Sequence, residues 1–207
     1  MSGIYIHIPF CRQACHYCNF HFSTSSLLKN EMINAITQEI ALSASLAAES
    51  EKHIETIYFG GGTPSLLHNH EIGDLLSAVR TNYLVSKNAE ITIEANPDDI
   101  SAEILTGWLA SGINRLSIGV QSFKEADLLW MNRAHNSGQA MKCLDMIADA
   151  GFANYSADLI YGSPGLSDSE WESHLALMIQ KNVPHLACYA LTVEPKTPLA
   201  KLIRLNK

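Results

Sequence analysis

The chain has 207 residues and a formal net charge of -7, with 47% hydrophobic and 17% charged residues. This balance is typical of one compact domain with a sizeable core, and because Lys and Arg form no long run it argues against a nucleic-acid surface. No apolar stretch approaches the length needed to span a bilayer, although peripheral contact with a membrane stays open. The first residues show no basic segment followed by a cleavage site, so we expect a cytoplasmic protein.

Six short apolar runs recur at intervals of a few tens of residues, and several are rich in β-branched or aromatic side chains. Most of them end in Gly, Pro or a polar residue, which is typical of buried parallel strands. We predict strands over residues 4–8, 56–59, 91–93, 116–120, 157–161 and 186–190.

Between these runs, apolar residues recur at helical spacing and predict five helices whose apolar faces pack on the core. Gly112 and Gly151 are predicted to end two of these helices in a left-handed conformation. Ser167 with Glu170 predicts a capping box at the start of the last full helix. The five faces contain Leu28, Met32, Ile36 and Ile40; Ile72, Leu75, Leu76 and Val79; Ile104, Leu105, Trp108 and Leu109; Leu144, Ile147 and Ala148; and Trp171, Leu175, Met178 and Ile179.

Strands that alternate with helices predict an α/β fold with a parallel sheet and right-handed crossovers. A doubly wound sheet and a barrel both fit six such strands, and both place their chemistry at the C-terminal ends of the strands. Residues 199–207 are predicted to begin a further helix, so we expect the chain to continue in a longer protein.

Three of the five cysteines fall within eight residues, in the loop predicted to follow the first strand. Thiolates are soft ligands that suit iron–sulfur clusters or zinc, and the spacing of Cys11, Cys15 and Cys18 lets one loop surround a single site. A structural zinc site would take a fourth ligand from His16 or His21. A cubane cluster would instead leave one iron open to a substrate. The spacing alone favours neither interpretation.

The other two cysteines, Cys143 and Cys188, stand alone in apolar surroundings. Free cysteine is among the most frequently buried residue types and packs as a small apolar side chain. We therefore predict that both are buried packing residues without a chemical role.

Glycines and polar residues recur at the ends of successive predicted strands. The segment Gly60-Gly61-Gly62-Thr63-Pro64 ends the second strand, Glu94 ends the third, Gln121 ends the fourth, and Asp158 lies in the fifth. Glycine lets a backbone approach a ligand closely. Because packing does not explain polar groups that recur at one end of a sheet, we predict a binding site there.

Together, these segments resemble the radical S-adenosylmethionine (SAM) superfamily, and closely its coproporphyrinogen oxidase-like branch. The resemblance covers Ile4 to about Leu199 and implies a partial TIM-like barrel, (β/α)6, with its site at the C-terminal mouth. It implies that residues 1–207 form one radical SAM core domain and that a C-terminal domain of the parent protein is absent. The matching motifs are Tyr5-Ile6-His7-Ile8-Pro9-Phe10-Cys11, C-x3-C-x2-C, Gly60 to Pro64, Gly119-Val120-Gln121-Ser122-Phe123 and Asp158-Leu159-Ile160-Tyr161-Gly162.

The resemblance also implies the cofactors and their contacts. Cys11, Cys15 and Cys18 would each bind one iron of a [4Fe–4S] cluster, and SAM would bind the fourth iron. An electron donor such as flavodoxin or ferredoxin is implied as a partner, and no catalytic residue is assigned beyond the cluster. Whether SAM is cleaved stays open. The implied SAM contacts are Tyr5, Tyr17, Gly61, Gly62, Thr63, Glu94, Gln121, Arg133 and Asp158.

One departure from the oxidases separates the branches of this family. The oxidases have a further cysteine two residues beyond the third, where this chain has Phe20. Phe at that position is typical of the HemW-type haem chaperones, so we predict a chaperone that binds haem or porphyrin and delivers haem to an apoprotein. The haem motif of that branch resembles His-Asn-x-x-Tyr-Trp, to which His135-Asn136 bears only a superficial likeness. An oxygen-independent coproporphyrinogen III oxidase and a zinc-stabilised α/β module remain as alternatives.

Overall fold

The computed structural model describes residues 2–205, in which six strands alternate with seven helices. The predicted strands are all present, most of them longer at the N-terminal end than their apolar cores. The strands are β1 (Ser2–Ile8), β2 (His53–Gly61), β3 (Leu84–Ala95), β4 (Arg115–Gln121), β5 (Tyr155–Tyr161) and β6 (His185–Ala190). The helices are α1 (Lys29–Leu46), α2 (Asn69–Asn82), α3 (Ala102–Ser111), α4 (Glu125–Trp130), α5 (Ser137–Asp149), α6 (Asp168–Gln180) and α7 (Pro198–Arg204).

All six strands are parallel and lie side by side in chain order, from β1 to β6. In a doubly wound sheet the order in which strands are added reverses part-way along the chain. Here each crossover leads to the next strand on the same side. The sheet is open, because β1 and β6 are its two edges. The predicted partial barrel is therefore confirmed.

The strands present two chemically different faces. Side chains that point towards the helices are apolar and form the core, for example Ile57, Ile93, Leu116 and Leu159, which are each fully buried. The alternate side chains on the inner face are mostly polar or glycine, as expected from the period of two in a strand. The inner face therefore carries the candidate site, while the outer face packs on the helices.

The predicted helix ends are confirmed. Gly112 caps α3 with φ of 93°, and Gly151 adopts φ of 85° just after α5. Ser167 accepts a hydrogen bond from the backbone of Glu170, whose carboxylate accepts one from the Ser167 backbone, so α6 begins with the capping box. Helix α7 begins at Pro198; Asn206 and Lys207, which end the helix predicted over 199–207, lie outside the described residues. Within residues 2–205, no helix is long and apolar enough to cross a bilayer.

Some predicted core positions are exposed. Leu28, just before α1, and Met32, on α1, are 66% and 36% exposed. Only Ile40 of the predicted stripe is buried, because α1 lies at the rim of the sheet and contacts mainly α2. On α6, Ile179 is 72% exposed. Leu109 on α3 is likewise exposed. A helix that covers one edge of an open sheet buries a narrower stripe than its sequence pattern suggests.

The two solitary cysteines differ. Cys143, on α5, is fully buried, as predicted. Cys188 is exposed, so the prediction of a buried packing role is wrong for it. The reason is its place on β6, an edge strand with a neighbour on one side only, in which every residue is at least partly exposed.

Candidate functional site

The cysteine loop follows β1 directly and is held from two sides. On one side, the Arg12 guanidinium donates to Asp99 Oδ1 at 2.8 Å, and Ser65 Oγ donates to Asp99 Oδ2 at 2.7 Å. On the other side, Asn132 Nδ2 donates to the Ala14 carbonyl at 2.7 Å, from a turn in which Asn132 has φ of 56°. The loop is therefore fixed by hydrogen bonds to two separate turns at the mouth of the barrel.

The thiols of Cys11, Cys15 and Cys18 line one cleft of about 490 Å³. Thr63 Oγ1 donates to Cys11 Sγ at 3.4 Å, and Arg133 Nη1 donates to Cys15 Sγ at 3.3 Å. Hydrogen-bond donors of this kind stabilise a metal-bound thiolate.

Burial raises the pKa of Cys11 and of Cys18, so these thiols stay protonated unless a cation stabilises their thiolates. No three His, Cys, Asp or Glu side chains of residues 2–205 converge on one ion position. His16, the first candidate for a zinc ligand, makes a 2.7 Å hydrogen bond between its Nδ1 and the Trp130 carbonyl. The donor set fits a cluster better than zinc, because in a cluster each thiolate binds its own iron.

The glycine segment after β2 forms a cradle beside the thiols. A Cβ added to Gly62 would lie 2.7 Å from the Phe10 carbonyl oxygen, and one on Gly61 would lie 2.7 Å from the His7 ring. Gly61 also has φ of 115°, which side chains rarely adopt. Only glycine fits at these two positions, and the backbone next to the thiols is thereby left open to a ligand.

Two carboxylates lie on the floor of the cleft. Glu94 accepts a hydrogen bond from Tyr58 OH at 2.8 Å and one from the Gly61 N–H at 3.1 Å, and burial raises the pKa of Glu94. Burial, and secondly the nearby Glu94, raise the pKa of Asp158 to about 6. An acidic cleft floor suits a ligand that carries positive charge.

Arg133 reaches into the cleft from the turn after α4. Its Nη1 donates to Tyr17 OH at 3.4 Å as well as to Cys15 Sγ, and its Nη2 donates to Asn96 Oδ1 at 2.6 Å and to the Gly119 carbonyl at 2.9 Å. Burial alone would lower the pKa of Arg133, but Tyr17 and Cys15 beside it raise it. The side chain is therefore a permanent cation in contact with the cysteine loop.

The structure brings the predicted site residues together with one exception. Tyr5 is 57% exposed and does not line the cleft; its ring stacks on Tyr58, with 5.9 Å between ring centroids. Which of these side chains contact SAM stays a prediction. The predicted residues that line the cleft are Cys11, Cys15, Tyr17, Cys18, Gly61, Gly62, Thr63, Glu94, Gln121, Arg133 and Asp158.

Several residues that line the cleft were not predicted from the sequence, among them Tyr58, Asn96 and Ser117. Tyr58 and Ser117 each lie two residues before a glycine of the inner face, so the period of two in a strand could have indicated them. Asn96 follows β3, and no sequence signal distinguished its amide from an ordinary turn residue.

Phe20 and His135 have different surroundings. Phe20 lines the mouth of the cleft and is 70% exposed. His135 does not line the cleft; it is buried, and its Nε2 makes a 3.0 Å hydrogen bond with the Val120 carbonyl. Asn136 caps α5 through a hydrogen bond to its Oδ1 from the Gln139 backbone. The likeness of His135-Asn136 to a haem motif is therefore superficial, because both side chains serve the fold.

The model of the Radical SAM superfamily matches residues 5–178 of the chain. The chain belongs to the radical SAM superfamily. Members of this superfamily hold a [4Fe–4S] cluster and SAM, and the thiol-lined cleft provides the three cysteines that such a cluster needs.

The chain is 39% identical over 200 residues to the heme chaperone HemW of Buchnera aphidicola and 36% identical over 204 residues to that of Escherichia coli K12. In both cases the match covers 94% of this chain and 52% of the relative, so the chain spans about half the length of these chaperones.

Solved structures share the same architecture. Coproporphyrinogen III oxidase from E. coli, a radical SAM enzyme, matches with a TM-score of 0.86 and 30% identity, over 96% of this chain and 46% of the oxidase. The radical SAM methyltransferase TsrM from Kitasatospora setae matches with a TM-score of 0.68 over the full chain, and at 13% identity it shows the fold alone.

Proposed function

We propose that this chain is the cluster- and SAM-binding core of a HemW-type haem chaperone. The observation that carries the proposal is Phe20, an exposed phenyl ring at the mouth of the cleft, where the oxidases have a further cysteine. The 39% and 36% identity to heme chaperones supports it. The haem site itself is proposed to lie in the part of the protein that follows residue 207.

Within the cleft, each group has a proposed task. When bound, the cluster and SAM supply one-electron reduction and radical chemistry, while the protein supplies binding and orientation. Cys11, Cys15 and Cys18 would hold three irons, and the open backbone at Gly62 would let the amino-acid part of SAM approach. Glu94 would accept hydrogen bonds from the ligand's cationic end, since its two oxygens are already oriented by Tyr58 and Gly61.

The partners follow from this proposal. A haem chaperone needs haem, a haem-receiving apoprotein and, where its cluster is reduced, an electron donor such as flavodoxin or ferredoxin. We propose that these meet the chain in the cytoplasm.

An oxygen-independent coproporphyrinogen III oxidase is the second candidate. The TM-score of 0.86 to the E. coli oxidase favours it, because the match covers 96% of this chain. Phe20 argues against it. The match to the radical SAM superfamily, whose members hold a [4Fe–4S] cluster, argues against a zinc-stabilised module.

The first experiment asks which metal the thiols bind. The chain is reconstituted without oxygen with iron and sulfide, and its iron content and visible absorbance are compared with those of Cys11→Ala and Cys143→Ala. We expect the broad absorbance of a cluster in the unmodified chain and in Cys143→Ala, and its loss in Cys11→Ala, which removes the only protein ligand of one iron. Stoichiometric zinc without iron would contradict the proposal.

The second experiment separates chaperone from oxidase. Vinyl-product formation from coproporphyrinogen III is followed anaerobically with SAM and reductant, beside a haem titration of this chain and of the full-length E. coli HemW. We expect no decarboxylation, and haem binding that is weak in this chain and strong in the longer relative. Decarboxylation by the chain would favour the oxidase assignment. Tight haem binding by the chain would indicate that the haem site lies in the barrel.

A further inference from the structure

A continuous chain of hydrogen bonds joins two of the three cysteines through Asn96. Thr63 Oγ1 donates to Cys11 Sγ at 3.4 Å, and Asn96 Nδ2 donates to Thr63 Oγ1 at 3.3 Å. At the other end of the amide, Asn96 Oδ1 accepts from Arg133 Nη2 at 2.6 Å, and Arg133 Nη1 donates to Cys15 Sγ at 3.3 Å. These hydrogen bonds connect four separate segments at the mouth of the barrel: the cysteine loop and the segments that follow β2, β3 and α4.

When Cys11 and Cys15 are thiolates, the donors and acceptors in this series of hydrogen bonds can be arranged in only one direction. Arginine has donors and no acceptor, so the amide atom of Asn96 that faces Arg133 must be its oxygen. The amide nitrogen then faces Thr63 and donates to its hydroxyl. A metal-bound Cys11 thiolate has no hydrogen to donate, so the single hydrogen of the Thr63 hydroxyl is then directed to Cys11 Sγ. The orientation of one amide thus decides that Thr63 acts as a donor to sulfur.

The same amide also holds the second donor in place. Arg133 is long and flexible in principle, but its Nη2 is fixed between Asn96 Oδ1 and the Gly119 carbonyl at 2.9 Å. With Nη2 fixed, the planar guanidinium directs Nη1 towards Cys15 Sγ and Tyr17 OH. Asn96 therefore orients the side chains of Thr63 and Arg133, which donate to Cys11 Sγ and Cys15 Sγ.

We propose that Asn96 is a positioning residue that sets the reduction potential of the cluster through Thr63 and Arg133. Reduction adds one electron to the cluster and its thiolates and breaks no bond, so the reduced form carries one more negative charge. Donors to the thiolate sulfurs stabilise that more negative form and raise the potential. Without the amide, the Thr63 hydrogen is free to turn away from Cys11, and Arg133 loses one of the two contacts that fix its Nη2.

The backbone of Asn96 has its own role, which a change of side chain leaves in place. Its carbonyl accepts from the Asp99 N–H at 3.1 Å, and its N–H donates to Ser65 Oγ at 3.4 Å. Asn96→Leu keeps the shape of the side chain and removes only the amide hydrogen bonds. Thr63→Val removes the hydroxyl with little change in shape, and Thr63→Ser keeps it.

The test is an anaerobic redox titration of the reconstituted 207-residue chain, followed by electron paramagnetic resonance of the reduced cluster. We expect Asn96→Leu and Thr63→Val to shift the midpoint potential to more negative values, and Thr63→Ser to retain it. In the double variant Asn96→Leu/Thr63→Val, the shift in midpoint potential should be smaller than the sum of the two single shifts, because Thr63 and Asn96 act through one series of hydrogen bonds. Asn114→Leu is the matched control: the Asn114 amide accepts from the Ile91 N–H and donates to the Ala89 carbonyl, at the opposite end of the strands.

The inference rests on the cluster of the proposed function, and the outcomes separate the two. An unmodified chain that forms no iron–sulfur cluster would overturn the proposed function and this inference with it. A cluster whose midpoint potential is the same in Asn96→Leu as in the unmodified chain would overturn the role of Asn96 alone. Equal shifts by Asn96→Leu and Asn114→Leu would show a general loosening of the barrel, and fully additive shifts would overturn the relay through Thr63.

Discussion

The two faces of the same strands differ in how they are held. On β4, Leu116, Ile118 and Val120 point towards the helices and are fully buried, whereas Ser117 and Gly119 point into the cleft. The outer face is stabilised by apolar burial. The inner face is organised by hydrogen bonds such as those of Glu94 and Arg133. A change on the outer face should therefore affect the stability of the fold, and a change on the inner face should affect ligand binding.

The largest expected change in the free energy of unfolding comes from the core between the helices and the outer face of the sheet. Trp108 on α3 is fully buried in the core, so Trp108→Ala should lower the free energy of unfolding by about 3–5 kcal/mol. Urea unfolding of the cluster-free chain measures it. Tyr58→Phe is the inner-face counterpart and removes only the hydroxyl that donates to Glu94, so a loss of about 1 kcal/mol is expected. Similar losses for the two variants would break the distinction between the faces.

Gly62→Val tests the cradle beside the thiols. The added Cβ would lie 2.7 Å from the Phe10 carbonyl oxygen, so the cradle or the backbone at Phe10, next to Cys11, must shift. We expect the cluster signal in electron paramagnetic resonance to lose its response to SAM. The control is Gly73→Ala on α2, where a Cβ has its nearest neighbour at 3.9 Å and removal of a helical glycine should stabilise the chain by about 0.5–1 kcal/mol. An unchanged response to SAM in Gly62→Val would place SAM elsewhere.

Asp158 gives the inner face a pH dependence. Burial and then Glu94 raise its pKa to about 6, above the ordinary value of 3.8, so the folded chain binds this proton more tightly than the unfolded chain does. The cost of ionising Asp158 is absent below pH 3.8, grows as pH rises towards 6, and is fully present above it. Asp158→Asn should therefore raise the free energy of unfolding at pH 7 by about 1–2 kcal/mol and change it little at pH 4. Equal effects at both pH values in urea unfolding would contradict this assignment.

The smallest expected effect is at Cys188, and Cys143 is the cysteine with which it is compared. Cys143 is fully buried on the outer face, so Cys143→Ser would bury a hydroxyl among apolar side chains and should cost about 1–3 kcal/mol. Cys188 is exposed on the edge strand β6, so Cys188→Ser should change the free energy of unfolding by no more than about 0.5 kcal/mol. A large loss on changing Cys188 would show that another part of the protein covers this edge.

Much of the fold was predictable from local patterns. Apolar runs located all six strands, and the positions of Gly112, Gly151 and Ser167 located helix ends, because caps are decided by a few neighbouring residues. The cysteine spacing and the strand-end residues located the part of the cleft around the thiols, because parallel strands bring their C-terminal ends to one edge. The predictions failed at α1 and β6, where burial depends on what covers the edge of the sheet.

The sequence by itself therefore determined the elements, their order and the three cysteines of the cleft, since these depend on periodicity, caps and residue type. The tertiary structure decided the choice of a barrel over a doubly wound sheet, because that depends on which strands pair. It also decided that Tyr5 stays outside the cleft while Tyr58 lies in it. Above all, it revealed the hydrogen bonds of Asn96 to Thr63 and Arg133, which lie 33 and 37 residues away along the chain. Contacts over such separations leave no periodic signal, because they arise only when the strands have assembled.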